Sequence, residues 1–502
     1  MKIKSFLARP YASIVQSRTR KSMTTAVTDQ DAVLQYLLKY GTRTVFGKQH
    51  KLSEVKTYQE YSMAVPIRDY EAYRQYIDDL KSGQQDVLWK GKPMYFAKTS
   101  GTTSGAKYIP ITKESIPNHI NGARDALLCY MAESGNSSFA DGKMIFLTGS
   151  PELERTGGIP TGRLSGISNH FVPRYLRNNQ LPSYETNCIE DWETKLAKIV
   201  DETINQDMTL ISGIPPWIQM YFDWLIERSG GKTIKEIFPN LHVIVHGGVN
   251  FEPYRSKLFD SLGGKVDTVE TFPASEGFFA FQDTQDKEGL LLNTNAGIFY
   301  EFIPAAEIFN ENPTRLSLAD VKIGENYALI VNSNAGLWGY NIGDTVRFVS
   351  TNPYRLLVTG RIKHYISAFG EHVIGEEVEY AILQAAREFN TSIVEFSVAP
   401  QIQTNGEAPY HEWFVEFETP PADLAAFSLS VDNHLRNKNI YYDDLIRGGI
   451  LQPLKIRSMK PHSFIEYMRS LGKLGGQNKV PRLSNDRTLA DGLQTGILDS
   501  LL

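Results

Sequence analysis

The chain of 502 residues carries 52 Lys and Arg against 57 Asp and Glu, a net charge of −5, with the two signs interspersed, which excludes the basic footprint of a nucleic-acid-binding protein. Its only cysteines, Cys129 and Cys188, are too few for a disulfide framework or a cysteine metal site and fit a reducing cytoplasm. A chain this long exceeds one ordinary core, so two or more domains are expected; no apolar run approaches the roughly 18 to 20 residues that span a bilayer, so a soluble protein without a membrane partner is expected.

The first 28 residues contain no Asp or Glu but carry Lys2, Lys4, Arg9, Arg18, Arg20 and Lys21. Such a start superficially suggests a transit peptide. No signal-peptide apolar core is present, however, and a basic amphipathic first helix is the commoner explanation, with targeting or membrane-surface contact the minor alternative. Further on, Ala97 to Thr112 reads AKTSGTTSGAKYIPIT, which gathers Ser100, Gly101, Thr102, Thr103, Ser104 and Gly105 ahead of Lys107. Glycines let successive amides turn toward one anion, hydroxyls donate further hydrogen bonds, and a lysine supplies a point charge, so this is a loop for phosphate. A flexible linker would continue polar, whereas this segment runs straight into the strand-like Tyr108-Ile109-Pro110-Ile111. It is not a Walker A loop, because only three residues separate Gly101 from Gly105, Ala106 intervenes and Tyr108 follows Lys107.

Short β-rich runs ending in turn residues and followed by helical patterns come next, the rhythm of an α/β protein. Met144 to Leu147 leads into Thr148-Gly149-Ser150-Pro151, Met208 to Ile211 into Ser212-Gly213-Ile214-Pro215-Pro216, and Leu241 to Val245 into His246-Gly247-Gly248. Ligands of open α/β sheets sit at the carboxyl ends of strands, so these exits are the places for site residues. The texture changes near Gly360. A helix over Glu376 to Phe389, strands over Ile393 to Val398 and His411 to Phe417, a helix over Ala422 to Leu435, a strand around Leu451 to Arg457 and a helix over Ser463 to Leu471 are predicted. In the second strand Trp413, Val415 and Phe417 share one face. The boundary falls at Thr359-Gly360-Arg361, dividing residues 1–359 from 360–502.

From Thr44 to Thr112 the chain carries TVFGK, VPIRDYEAYRQYI and VLWKGKPMYFAKTSGTTSGAKYIPIT; later come ISGIPPWI (211–218), HGGVNFEP (246–253), FPASEG (272–277), GYNIGD (339–344) and QNKVPR (477–482). In this order they are similar to the auxin-responsive Gretchen Hagen family of acyl-acid amido synthetases. That family lies within the adenylate-forming superfamily, with acyl-CoA ligases, peptide-synthetase adenylation domains and luciferases. The resemblance implies a large N-terminal α/β domain with mixed β-sheets flanked by helices, plus a small mobile C-terminal α+β domain on a hinge near Gly360.

It also implies roles. Ser100 to Lys107 would hold the β- and γ-phosphates of ATP; Gly247, Gly248 and Val249 would let the backbone approach adenine; Phe272 would lie by the adenine, with Ser275 and Glu276 completing that motif and Glu276 helping to hold Mg²⁺. Tyr340 and Asp344 match an aromatic-x-x-Gly-Asp motif whose carboxylate accepts from the ribose hydroxyls. Arg361 would be a ribose or hinge contact, and Lys479, with Arg482 in support, would bring a positive charge to the carboxylate and α-phosphate. Phe272 stands where Tyr is usual and Pro273 where a small residue is usual.

Read without the resemblance, Ser275-Glu276 is a helix N-cap followed by a first-turn acid. Gly247-Gly248 is a strand-to-helix turn, Asp344 a turn residue and Lys479 a surface lysine. Lys363 and His364 read as solvated residues, and the histidines show no metal spacing. By resemblance in position, Gly162 to Phe171 and Gly213 to Trp217 would line the acyl pocket. The implied activity is that of a cytoplasmic, monomeric ligase joining a small carboxylic acid to an amine, expected to be an amino acid, through an acyl-adenylate. Acyl-CoA ligase activity and a catalytically silent ATP- or acyl-binding protein are the alternatives.

Overall fold

The computed structural model describes residues 3–102, 105–172, 177–189, 191–248, 251–308, 310–361, 365–366, 369, 371, 373–402, 407–471, 480 and 482–496. The chain divides into two compact units, residues 1–99 with 106–360, and residues 361–502 with 100–105.

In the larger unit a long N-terminal helix, Ile3–Gly41, precedes the strands. A small four-stranded sheet contains β1 (Tyr95–Thr102), β2 (Gly105–Ile111), β4 (Glu154–Thr156) and β5 (Ile159–Gly162), in the order β2-β1-β5-β4. The large sheet has eleven strands in the order β12-β13-β14-β15-β11-β10-β9-β8-β7-β3-β6. Its members are β3 (Lys143–Phe146), β6 (Gln180–Leu181), β7 (Met208–Gly213), β8 (Val243–Gly247), β9 (Asp267–Ala274), β10 (Gly277–Phe281), β11 (Leu290–Leu292), β12 (Ile298–Pro304), β13 (Asn326–Ser333), β14 (Leu337–Thr351) and β15 (Tyr354–Arg361).

The pairings from β6 through β3, β7 and β8 to β9 are parallel, whereas β9 with β10, β10 with β11, β11 with β15, β12 with β13 and β13 with β14 are antiparallel. Sequence foreshadows that split. Parallel strands are covered on both faces and read as continuous apolar runs, as in Val243-Ile244-Val245. Crossovers between them require helices, supplied by Trp192–Thr203, Pro215–Arg228 and Glu252–Leu262. One apolar cluster joins Leu37, Phe46, Tyr73, Trp338 and Tyr340 to Phe272, Phe279 and Tyr300, so the core continues from the first helix to the strands that carry the candidate motifs.

The smaller unit holds a hairpin of β16 (Tyr365–Ile366) and β17 (Val373–Ile374), then a helix Gly375–Glu388. A three-stranded sheet follows, formed by β18 (Ser392–Gln401), β19 (Tyr410–Thr419) and β20 (Lys455–Met459), with β19 central. The predicted one-sided face of β19 is only half of the arrangement, since every residue from Tyr410 to Phe417 is buried and both faces are covered. Glu412 accepts from Arg457 at 2.7 Å and from Arg487 at 2.8 Å, which satisfies a charge on the second face.

Candidate functional site

The parallel strands β7, β8 and β9 release their chain at one edge of the sheet. At that edge Gly247 lies opposite Thr271. A Cβ on Gly247 would collide with the Thr271 carbonyl, and Gly248 adopts φ +82°, in the left-handed region. The glycine pair is therefore demanded by the approach of two neighbouring strands and by backbone sign, before any ligand is considered.

His246 precedes the pair. Its ring stacks on Phe251 at 4.0 Å between centroids, and the Arg255 guanidinium lies 4.9 Å from the same phenyl ring. Burial, seconded by Arg255, pushes the imidazole down to about 3, so it is neutral at physiological pH. Thr271 Oγ1 donates to the His246 carbonyl at 3.0 Å, tying the exit of β8 to β9.

Ala274 and Gly277 pair across β9 and β10, which makes Ser275-Glu276 a two-residue hairpin turn. The helix N-cap that local sequence offers is not formed. Helix Ile116–Ser134 clamps the hairpin from the side: Asn118 Oδ1 accepts from the Phe278 amide at 2.7 Å and Asn118 Nδ2 donates to the Phe278 carbonyl at 3.1 Å. Gly122 of that helix is needed because a Cβ there would enter the Phe278 ring. Glu276, half-buried, thus stands on a short, braced turn.

Phe272, in contrast, is 6 % exposed and packs edge-on against Phe279 with centroids 5.1 Å apart. Tyr340 is fully buried, its ring edge-on to Tyr73 at 5.4 Å. Both rings, expected at the nucleotide, belong to the core. Their hydrophobicity decides this, since an aromatic side chain on the inner face of a strand buries a large apolar area there.

Asp344 is not a turn residue either. It lies within the long strand β14 and is buried. Ala328 pairs with Thr345 and Ile330 with Asn341, so Ile342, Gly343 and Asp344 oppose Leu329 alone. This bulge needs Gly343 at φ +88° and is closed by the Gly343 amide donating to Asn341 Oδ1 at 2.9 Å. In sheet order three strands, β15, β11 and β10, separate β14 from β9. The structure therefore groups Gly247, Gly248, Ser275 and Glu276 on adjoining strands and places Asp344 on a distant strand of the same sheet.

Lys107 lies on β2, its Nζ 5.9 Å from the centre of the Tyr70 ring. The Tyr70 hydroxyl accepts from the Tyr108 amide at 2.8 Å, which holds β2 in place. Ser100, Gly101 and Thr102 end β1, Gly105 begins β2 and Arg361 ends β15. Thr103, Ser104, Val249, Lys363, His364 and Lys479 lie outside the described residues.

The two segments read as an acyl pocket meet the exit of β3. Gly149 donates to Ser165 Oγ at 3.2 Å, His170 Nε2 lies 2.8 Å from the Pro151 carbonyl, and a Cβ on Gly213 would touch Leu147 at 3.0 Å. Lys195, 2 % exposed, donates to the carbonyls of Thr148 at 3.0 Å and Asn187 at 2.8 Å. Lys195 and Asn118 escaped the sequence reading, which took His246 only as part of a strand exit. Only Gly122, a glycine inside a helical pattern, signalled a close contact nearby.

Among the described residues no group of three or more His, Cys, Asp or Glu could enclose a metal ion. A single carboxylate on a turn nevertheless suits Mg²⁺, which keeps several waters and is held by one or two carboxylates together with substrate phosphates. Glu276 fits that donor set.

Against this geometry, three successive domains of one family match the chain: the GH3 family N-terminal domain over residues 16–184, the central domain over 291–361 and the C-terminal domain over 376–488. The chain belongs to the GH3 family. Among GH3 relatives, indole-3-acetic acid-amido synthetase GH3.15 of Arabidopsis thaliana is 22 % identical over 94 % of this chain and 93 % of its own length. Its paralogue GH3.3 is 26 % identical over 58 % of this chain, an alignment that spans about half, 52 %, of that relative. Jasmonoyl–L-amino acid synthetase JAR4 of Nicotiana attenuata is 21 % identical over 63 % of this chain and 66 % of its own.

The structure of the GH3.15 acyl acid amido synthetase in complex with 2,4-DB superposes with a TM-score of 0.62 at 16 % identity, covering 97 % of this chain and 96 % of that one. A 2-hydroxyisobutyryl-CoA ligase in complex with 2-HIB-AMP and CoA gives 0.57 at 13 % identity, covering 95 % and 93 %. At these identities the likeness is one of fold. Within the GH3 match, Lys107 falls in the N-terminal domain, Asp344 in the central domain and Lys479 in the C-terminal domain, while Gly247 to Glu276 lie between the matched segments.

Proposed function

We propose that this GH3 protein is an acyl-acid amido synthetase that activates a small carboxylic acid with ATP and passes the acyl group to the amine of an amino acid. The observation that carries the reading is the pairing of Gly247-Gly248 with the braced Ser275-Glu276 turn on adjoining strands, in a chain of a family whose relatives are named for that activity. A carboxylate oxygen of the acid attacks the α-phosphorus of ATP, the bond to pyrophosphate breaks, and an acyl-adenylate remains. The amine nitrogen then attacks the acyl carbon, AMP leaves with the bonding electrons, and the nitrogen loses a proton to water.

Each motif answers part of the charge problem in the first step. The amides and hydroxyls of Ser100 to Gly105, with Lys107, hold the β- and γ-phosphates and steady the leaving pyrophosphate. Glu276 would hold Mg²⁺, which when bound neutralises phosphate charge as a Lewis acid. Asp344 accepts from the ribose hydroxyls, and Gly247, Gly248 and Val249 face adenine through their backbone. Phe272 and Tyr340 support these strands from the core. Residues 360–502 act as a hinged domain, with Arg361 at the hinge and Lys479, supported by Arg482, bringing its charge to the α-phosphate. The protein works as a cytoplasmic monomer.

The test is a screen of carboxylic acids by pyrophosphate release, repeated with each amino acid and followed by mass analysis of the product. An amide that appears only with ATP and one acid–amino acid pair is the expected result. Coenzyme A is the rival acceptor, favoured by the fold likeness to 2-hydroxyisobutyryl-CoA ligase; thioester without amide would establish it. Absence of pyrophosphate release with every acid would leave a silent binding protein.

A further inference from the structure

The N-terminal helix buries one side and is anchored there. Ala12, Val15 and Ala26 are each no more than 5 % exposed, Ser5 Oγ donates to Asp141 at 2.5 Å, and Arg9 Nε donates to Ser137 Oγ at 2.8 Å. At about 100° per residue, Leu7, Tyr11, Ile14, Arg18 and Lys21 fall along a single stripe that flanks the buried side, with Phe6 further round the helix. A solvent-facing stripe is ordinarily polar, yet Phe6, Leu7, Tyr11 and Ile14 are 60 %, 66 %, 42 % and 50 % exposed. The stripe then turns cationic with Arg18 and Lys21, both exposed, and Arg20 beside them.

The helix itself supplies no counter-charge before Asp29. The acids facing it are Asp141, which accepts from Ser5, Asp125, paired with Arg124 at 2.6 Å and within electrostatic reach of Arg18, and Asp29, which accepts from Ser22 at 3.1 Å and Thr25 at 2.9 Å; against these three the helix sets Arg9, Arg18, Arg20 and Lys21. Tyr11 lies under the Arg124 guanidinium at 5.7 Å. Apolar side chains able to enter an acyl-chain boundary, continued by cations at headgroup level, are the two complements of an anionic lipid surface. A second copy of this face offers no acid to its own cations, so self-association sets like charges together.

We propose that the outer face of the helix from Phe6 to Lys21, about four turns long, docks the protein peripherally on an anionic membrane. The helix lies in the interface and does not cross it, in keeping with the finding that no described helix is long and apolar enough to span a bilayer.

The full-length protein is sedimented with vesicles of phosphatidylcholine alone and of phosphatidylcholine mixed with phosphatidylglycerol. About ten-fold more protein is expected on the anionic vesicles at about 0.05 M salt, and most of that excess is lost at about 0.5 M salt, where charges are screened within a few ångströms. Two variants, Phe6→Ser/Leu7→Ser/Ile14→Ser and Arg18→Glu/Lys21→Glu, are each expected to sediment at the level of the neutral vesicles with unchanged thermal melting, because the altered side chains are outside the core. No excess on anionic vesicles, or an excess retained by both variants, overturns the proposal. A dimer mass by light scattering without lipid, lost in the triple serine variant, would assign the face to a second copy and overturn it as well.

Discussion

The two halves of the large sheet present the candidate site residues by different means. In the parallel half β7, β8 and β9 share a direction and pair with one another in unbroken register, so Gly213, Gly247-Gly248 and the Ser275-Glu276 turn come to one edge at the ends of the strands. In the antiparallel half neighbouring strands alternate in direction and no common edge collects their ends. Asp344 is presented from inside a strand of 15 residues by a bulge. The antiparallel half also encloses ion pairs, Arg315 with Glu301 at 2.6 Å and Arg355 with Asp283 at 2.6 Å. Topology positions one half of the candidate site, and local irregularity positions the other.

The largest effect should come from breaking a buried pair in the antiparallel half. Glu301→Ala strands the Arg315 guanidinium and removes the acceptor of Asn332 and Tyr58, and should cost about 3–5 kcal/mol in denaturant unfolding. A loss below about 1 kcal/mol would mean that these charges do not brace that half.

Glu276→Gln should leave stability unaltered and lower adenylation roughly a hundred-fold, several kcal/mol of charge stabilisation being lost at the reacting phosphate. Pyrophosphate release measured across Mg²⁺ concentrations checks it; an unchanged Mg²⁺ dependence would remove Glu276 from the metal.

His246 sharpens the contrast through pH. In the folded chain its imidazole stays neutral down to about 3, whereas an exposed histidine titrates near 6.5. The unfolded state therefore takes up the proton first as pH falls, and stability present above pH 6.5 is lost below it, by about 2 kcal/mol between pH 7 and pH 5. His246→Phe should remove that portion of the slope; an identical pH profile would exclude the group.

The smallest effects compare two glycines. Gly247→Ala must move the Thr271 carbonyl and should cost about 1–3 kcal/mol. Gly343→Ala meets no atom within 4 Å and should cost only about 1 kcal/mol, the conformational penalty of its positive φ. Equal losses would show that the bulge is as crowded as the parallel edge.

Much of the fold was legible. The strands before Thr148, Ser212 and His246 and most elements after Gly375 follow from runs of β-branched residues, turn residues and helical periodicity, although β7 and β8 run on to Gly213 and Gly247, past the predicted exits. The helix Ile440–Arg447 was not predicted; its Asp443 pairs with Arg436 at 2.6 Å and Arg447 at 2.9 Å. At the site, motif order pointed to Glu276 and Asp344. The burial of Phe272 and Tyr340 was not legible, since a matched aromatic carries no sign of which side of its strand faces the core.

Sequence by itself determined the α/β rhythm, the order of motifs and the family, because periodicity and turn chemistry are written in neighbouring residues. Only tertiary structure decided that Ser275-Glu276 turns a hairpin, that Asp344 stands on a bulge and that the first helix keeps an apolar stripe outside. Those outcomes rest on partners remote in the chain: Asn118 on Phe278, Leu329 opposite three residues of β14, and Val15 packed in a cluster with Phe281. Local propensity cannot encode a register or a covered face until the pairing that creates it has formed.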